Sequence, residues 1–205
     1  MNTRELPFVL ASASPRRKEI LEAHGHSLIV IPADVDEDIA DEESFTPSEL
    51  TIYLAELKAN AVMDKLNPND WPSGCIILGV DTIVYKDRVI GKPVDEEDAL
   101  GILRSLCDAV HEVISGVCLI LANKKKEGMS LEVEEKYLFS DTTTVRFGDY
   151  TDDEILEYIR ANPPYDKSGS YAIQSDWGRH VIEMNGDIEN VIGLPYAKLS
   201  TYFNK

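Results

Sequence analysis

Near the N-terminus, Ser12-Ala13-Ser14-Pro15-Arg16-Arg17-Lys18 sets two hydroxyls and three consecutive cations at what reads as the start of a helix. Ser14 suits the cap and Pro15 the first helical position, so the cations fall in the first turn, where unpaired backbone N–H groups already make the local field positive. A helix tuned only for stability would carry Asp or Glu there. Exposed N–H groups, hydroxyls and clustered cations together suit an anion with several charges, and phosphate is the obvious candidate. On this reading Arg17 costs its helix stability, and its removal is expected to leave the fold intact.

Further along, Asp81 interrupts a run of otherwise apolar or small residues. A carboxylate buried there needs a metal ion, a cation or a hydrogen-bond network; the alternative is an Asp at a strand break after Gly79, turned to solvent. Lys58 lies beside the apolar stripe Leu50, Leu54, Leu57 and Ala61 and could reach out from its edge. Gly91-Lys92-Pro93 puts a cation between a flexible and a rigid residue, as a ligand group or as a plain turn lysine. It is not a Walker loop, because Lys86 stands where the upstream glycine is required and Pro93 where a Ser or Thr would hold magnesium. Asp36 and Glu37 could ligate a divalent cation, but they lie among Asp34, Asp38, Asp41, Glu42 and Glu43, where solvation is the simpler role. Asp166-Lys167-Ser168-Gly169 joins a charged pair to a hinge and leads through a short expected strand, Tyr171 to Ile173, to Gln174, whose amide suits a base edge as well as a sheet edge.

Other chemistries find less support. His24, His26, His111 and His180 share no metal-binding spacing and read as structural or surface residues. Cys75, Cys107 and Cys118 fall in no ligand pattern, no Gly-x-Ser-x-Gly elbow is present, and a covalent nucleophile is not expected. Asp95, Glu96, Glu97 and Asp98 read as the cap and first-turn acids of a helix.

The elements that must position these groups alternate between strand and helix. Phe8 to Ala11 is a strand leading into the Ser-Pro-Arg turn and a helix to about residue 24, and Leu28 to Ile31 is a second strand. A helix starts at Thr46-Pro47, and Cys75 to Val80 and Thr82 to Tyr85 are strands flanking Asp81, with a turn to Arg88 to Ile90. A helix over Asp95 to Ser105 precedes two long strands, Val110 to Ala122 and Leu131 to Phe147, joined by a basic tip that includes Lys124 to Lys126. Thr151 to Ala161 is a capped helix, Val181 to Met184 a strand, and a terminal helix follows Pro195. This order predicts an α/β fold with a mixed twisted sheet and flanking helices, over residues 1–205 as one domain.

With 205 residues and 43% hydrophobic content the chain can bury an ordinary core. Twenty Lys and Arg against 37 Asp and Glu give a net charge of −17, so the protein as a whole repels nucleic acid and anionic membrane, and neither is an expected partner. A phosphate ligand must be drawn to a local patch. No apolar run approaches the roughly 18 residues of a spanning helix, and Leu6 to Ala11 lacks the basic flank and length of a signal peptide. The cysteine usage fits a reducing cytoplasm.

Taken together, Leu10-Ala11-Ser12-Ala13-Ser14-Pro15-Arg16-Arg17, Leu54-Ala55 with Lys58-Ala59, Gly79-Val80-Asp81-Thr82, Gly91-Lys92-Pro93, Asp166 to Gln174 and Gly193-Leu194-Pro195 resemble the Maf family of nucleoside triphosphate pyrophosphatases, in the family's order. Two small departures are Ser170, where the family usually has Ala, and Ser115-Gly116-Val117, where it usually has Thr-Gly-Val. The resemblance implies an inosine triphosphatase-like fold of two lobes around a cleft, a homodimer, and hydrolysis of the α–β phosphoanhydride to the monophosphate and pyrophosphate with magnesium or manganese. It implies Asp81 as proton acceptor for the attacking water and Arg17, Lys58, Lys92 and Lys167 as triphosphate ligands. Ser14 belongs to the same binding loop, and Glu37 is the first choice for a metal ligand beside Asp81.

Arg16, Thr82 and Gln174 match the positions that set base preference, and resemble the subgroup acting on dTTP and UTP rather than the one acting on 7-methyl-GTP. The family's association with septum formation keeps open a nucleotide-binding regulator of cell division without turnover. Retention of Asp81, which serves only chemistry, favours the enzyme. A phosphatase on sugars or lipids would need no base-reading group.

Overall fold

Strand β1 (Phe8–Leu10), helix α1 (Pro15–Ala23) and strand β2 (Leu28–Val30) form the expected strand, loop and helix unit. They open a computed structural model that describes residues 6–37, 44–124 and 130–203. Asp38, Asp41, Glu42, Glu43, Lys125 and Lys126, weighed above from sequence, lie outside the described residues. Helix α2 (Pro47–Lys65) starts where Thr46 and Glu49 exchange hydrogen bonds as a capping box with Pro47 at the first position. Then come β3 (Cys75–Lys86), β4 (Arg88–Ile90), α3 (Glu96–Leu106), β5 (Val110–Lys124), β6 (Leu131–Phe147), α4 (Asp152–Ala161), β7 (Val181–Asn185), α5 (Ile188–Ile192) and α6 (Tyr196–Ser200). The acids Glu96, Glu97 and Asp98 do serve the first turn of α3, with Asp95 accepting from the Asp98 N–H.

The strands form one mixed sheet in the order β2-β1-β3-β5-β6-β7, with β4 paired to β3. β1 is parallel to both of its neighbours, whereas β3, β5, β6 and β7 run antiparallel in turn. The chain therefore leaves β1 on one side and returns on the other. That reversal is the point at which open α/β sheets bind ligands. β1 pairs as far as Leu10 with Leu78, and β4 ends with Ile90 opposite Val84, so residues 79–83 of β3 have no strand beside them on that edge. The cleft opens at this gap.

Side-chain alternation along β3 distributes the core. Ile76, Leu78 and Val80 pack with Ile20, Leu21 and Leu199 on the α1 and α6 face. Cys75 and Ile77 pack with Ala55, Ala59 and Val62 on the α2 face. A third cluster, with Leu103, Phe147, Ile155 and Trp177, fills the end of the molecule built by α3 and α4.

Two expectations are corrected. Asp81 does not mark a strand break, because β3 runs unbroken through it; Gly79 answers a packing need described below. Tyr171 to Ile173 is not a strand but lies between the 3₁₀ turns Ser168–Ser170 and Asp176–His180. The backbone of its middle residue is satisfied by side chains and a local turn rather than a ladder: the Ala172 N–H donates to the Tyr158 hydroxyl, and the Ala172 carbonyl accepts from the N–H and hydroxyl of Ser175.

Candidate active site

Asp81 and Thr82 are neighbours on β3 and so point to opposite faces of the sheet. Asp81, only 7% exposed, meets α2. Lys58 comes down from that helix and places its Nζ 2.6 Å from Asp81 Oδ1. Small residues make this approach close. A Cβ on Gly79 would overlap the Ala55 carbonyl, and one on Gly116, the residue paired with Asp81, would overlap the Thr51 carbonyl. Lys58 therefore does not reach out from the helix edge as expected. It is 8% exposed and turned into the cleft, where its Nζ also lies 3.1 Å from Glu37 Oε1.

Thr82 meets α1 and α5 on the other face. The Arg17 guanidinium donates to Thr82 Oγ1 at 3.0 Å, to Ser12 Oγ at 2.9 Å and to the Gly193 carbonyl at 2.9 Å. Thr82 Oγ1 also shares a hydrogen bond of 2.9 Å with Ser115 Oγ. Burial pulls Arg17 below its ordinary value while Asp81 and Glu37 pull it back, and it remains a cation. Without any anion Arg17 therefore already has three partners, on the loop before α1, on β3 and after α5, which the sequence reading did not provide for. Nor does the Ser14 side chain cap α1; the Ser14 N–H donates to Ser12 Oγ instead. Lys18 pairs with Glu22 on the helix surface, outside the cleft.

The mouth of the cleft is crossed by a second set of charges. Arg16 donates to Asp166 Oδ2 at 2.8 Å, and the neighbouring Lys167 donates to Asp166 Oδ1. Partial burial works to raise the Asp166 carboxyl, but those two hydrogen bonds hold it below the ordinary Asp value. The segment carrying Lys167 is fastened to the sheet: Ser168 Oγ donates to the Thr82 carbonyl, the Gly169 N–H donates to the Gly91 carbonyl, and the buried Tyr171 hydroxyl meets His111 Nε2 at 2.8 Å. Lys92, next to Gly91, is exposed and has no ion-pair partner among the described residues. Gln174 is exposed on the turn that replaces the expected strand.

A cleft of about 600 Å³ unites these groups, lined by Ser14, Arg16, Arg17, Glu37, Lys58, Asp81, Thr82, Lys92, Lys167 and Gln174. Lys18 and Asp36, also raised from sequence, are not among its lining residues. Asp166, Ser115 and Gly193 were not singled out. Asp166 could have been, as the charged neighbour of Lys167, but nothing local marks Ser115 or the Gly193 carbonyl as partners of Thr82 and Arg17.

A family model described as Maf-like protein matches residues 7–205. The chain belongs to the Maf-like family. The resemblance read from its motifs is borne out, as is the mixed α/β fold. A dTTP/UTP pyrophosphatase of Lachnoclostridium phytofermentans is 38% identical over 193 residues, which covers 94% of this chain and 91% of that protein. A dTTP/UTP pyrophosphatase of Agathobacter rectalis is 39% identical over 200 residues, 94% of this chain and 93% of that protein. One from Acetivibrio thermocellus is 37% identical over 194 residues, with 94% and 92% covered.

Two carboxylates, Glu37 and Asp81, converge on a single point of the cleft. Hard oxygen donors of this kind fit magnesium or manganese, which typically take one or two protein carboxylates and complete their shell with phosphate oxygens and water. Among the described residues no group of three or more His, Cys, Asp or Glu forms a self-sufficient metal cage. The donor set fits a cation that shares its coordination with a phosphorylated substrate.

Proposed function

We propose that this protein is a nucleoside triphosphate pyrophosphatase that hydrolyses dTTP and UTP to the monophosphate and pyrophosphate in the cytoplasm. The observation that carries the proposal is the charge layout of one cleft. Arg16, Arg17, Lys58, Lys92 and Lys167 face Glu37, Asp81 and Asp166, five cations to three carboxylates. A triphosphate brings about four negative charges, and one divalent cation held by Glu37 and Asp81 brings the filled cleft to neutrality. That ion would offset charge on the phosphate oxygens.

Asp81 is the proton acceptor in this reading. Its Oδ1 faces the cation position that Lys58 fills in the free protein, which leaves Oδ2 to take the proton of a water attacking the α-phosphorus. The bond from that phosphorus to its bridging oxygen breaks, and pyrophosphate leaves with the electron pair. Lys92 and Lys167 hold the leaving phosphates, and Arg17 holds the group that stays. Arg17 and Lys167 are held in place before reaction by Gly193, Thr82 and Asp166, which is the efficient way to stabilise developing charge. Arg16, Thr82 and Gln174 read the base: an amide can pair with the carbonyl and N–H edge shared by thymine and uracil. The shared name of the relatives supports this preference. The proposed assembly is a homodimer, which light scattering tests.

Incubating the protein and magnesium with dTTP, UTP, CTP, ITP and 7-methyl-GTP, with separate detection of pyrophosphate and orthophosphate, tests the reading. The expected result is pyrophosphate as first product, with dTTP and UTP leading. Orthophosphate as first product, or binding without turnover, overturns the pyrophosphatase assignment. The highest kcat/KM on 7-methyl-GTP or ITP overturns only the base preference.

A further inference from the structure

Lys58 sits in an odd place for a lysine that binds phosphate. Its Nζ does not project into open space but lies between Asp81 Oδ1 at 2.6 Å and Glu37 Oε1 at 3.1 Å. It donates a hydrogen bond to one and forms an ion pair with the other of the two carboxylates that suit a divalent cation. Those carboxylates approach one point from different elements, Asp81 from the buried middle of β3 and Glu37 from an exposed loop. Without a cation between them the two carboxylates would repel each other.

We propose that Lys58 is a built-in counter-ion that occupies the metal position in the free protein, and that metal entry displaces its ammonium towards the triphosphate. The inference rests on the assignment of Glu37 and Asp81 as metal ligands made above. Like charges exclude joint occupancy of the gap at hydrogen-bond distance. The backbone of Lys58 is held by the close seating of α2 on Gly79 and Gly116, so the flexible four-carbon stem makes the exchange. One consequence follows from the exchange: a divalent cation binds weakly until a triphosphate is present to receive the displaced ammonium. Metal and triphosphate then raise each other's affinity, as linkage requires.

The test uses Mn²⁺ and the full chain without nucleotide at pH 8, with free Mn²⁺ read by electron paramagnetic resonance. Lys58→Met is expected to bind Mn²⁺ at least ~10-fold more tightly than the unsubstituted protein, and Lys58→Arg, which keeps a cation in the gap, is expected to show no gain. A second measurement needs no variant: reductive methylation with formaldehyde and cyanoborohydride, read by peptide mass spectrometry, should label Lys58 slowly in the free protein and faster with saturating Mn²⁺. Equal or weaker Mn²⁺ binding by a Lys58→Met variant that melts cooperatively overturns the proposal, and so does labelling that Mn²⁺ leaves unchanged. If Lys58→Met fails to fold, the labelling decides. Absence of Mn²⁺ binding even with dTTP present overturns the assignment of Glu37 and Asp81, and this inference with it; Mn²⁺ binding that is no tighter in Lys58→Met overturns this inference alone.

Discussion

Replacing Arg17 with alanine removes hydrogen bonds to Ser12, Thr82 and the Gly193 carbonyl at once, and with them the tie between α1, β3 and the end of α5. Charge-assisted hydrogen bonds are worth more than neutral ones, but the side chain is only half-buried by its exposed surface, so a discounted value of about 1 kcal/mol each gives a loss of about 3 kcal/mol. Taking a cation out of the first turn of α1 returns about 0.5 kcal/mol. For a chain of this size a net loss of about 2.5 kcal/mol lowers the melting temperature by about 5–10 °C. Thermal denaturation without ligand, followed by circular dichroism, reads this directly. Arg17→Lys keeps the charge but offers one nitrogen to three acceptors on three elements, and should recover less than half of the loss. Lys92→Ala is the control. With no ion-pair partner among the described residues, it should melt like the parent yet bind a non-hydrolysable dTTP analogue about 10-fold more weakly, as loss of a charge-assisted contact requires. An unchanged melting temperature for Arg17→Ala would refute the structural role, and would restore the view that Arg17 only awaits an anion.

Asp81→Asn keeps the shape and loses the base, so turnover should fall at least ~10²-fold while calorimetry still detects nucleotide binding; near-parental turnover would move the chemistry to another group. Gly116→Ala places a Cβ on the Thr51 carbonyl, which should lift α2, cost about 1–3 kcal/mol and weaken the Lys58–Asp81 contact, with a matching fall in kcat. Gly101→Ala, at an open position in α3, should instead stabilise by about 1 kcal/mol. His111 supplies a pH test. Burial pulls it down to about 4, so between that value and the unfolded pKa of about 6.5 the unfolded chain binds more protons. Its contribution is whole above about pH 6.5 and is lost as pH falls towards 4, up to about 3 kcal/mol; denaturant melts of His111→Gln should show a shallower pH slope than the parent, and parallel slopes would sink the argument.

The chemistry of the cleft was legible in the chain because its signals are local. A cation cluster behind Ser14-Pro15, an acid inside an apolar run and a lysine between Gly91 and Pro93 are statements about neighbours in sequence. The Thr46 and Thr151 caps likewise announce their helices within four residues, through hydrogen bonds that span one turn. Those residue types also carried the family resemblance, and with it the sheet and the expected reaction.

Tertiary structure alone decided who partners whom. Arg17 reads as a helix liability until Gly193, 176 positions away, brings a carbonyl to its Nε. Asp81 reads as a strand break until β3 is seen to run straight through it, with Gly79 and Gly116 present so that α2 can press down and deliver Lys58. The segment Tyr171 to Ile173 has the composition of a strand, yet the Tyr158 hydroxyl and the Ser175 turn satisfy the backbone of its middle residue before any neighbour can. In each case the local pattern was right about the residue's chemistry and silent about its contact, because periodicity and capping act over a few residues whereas ion pairs and close packing depend on where the whole sheet brings distant segments together.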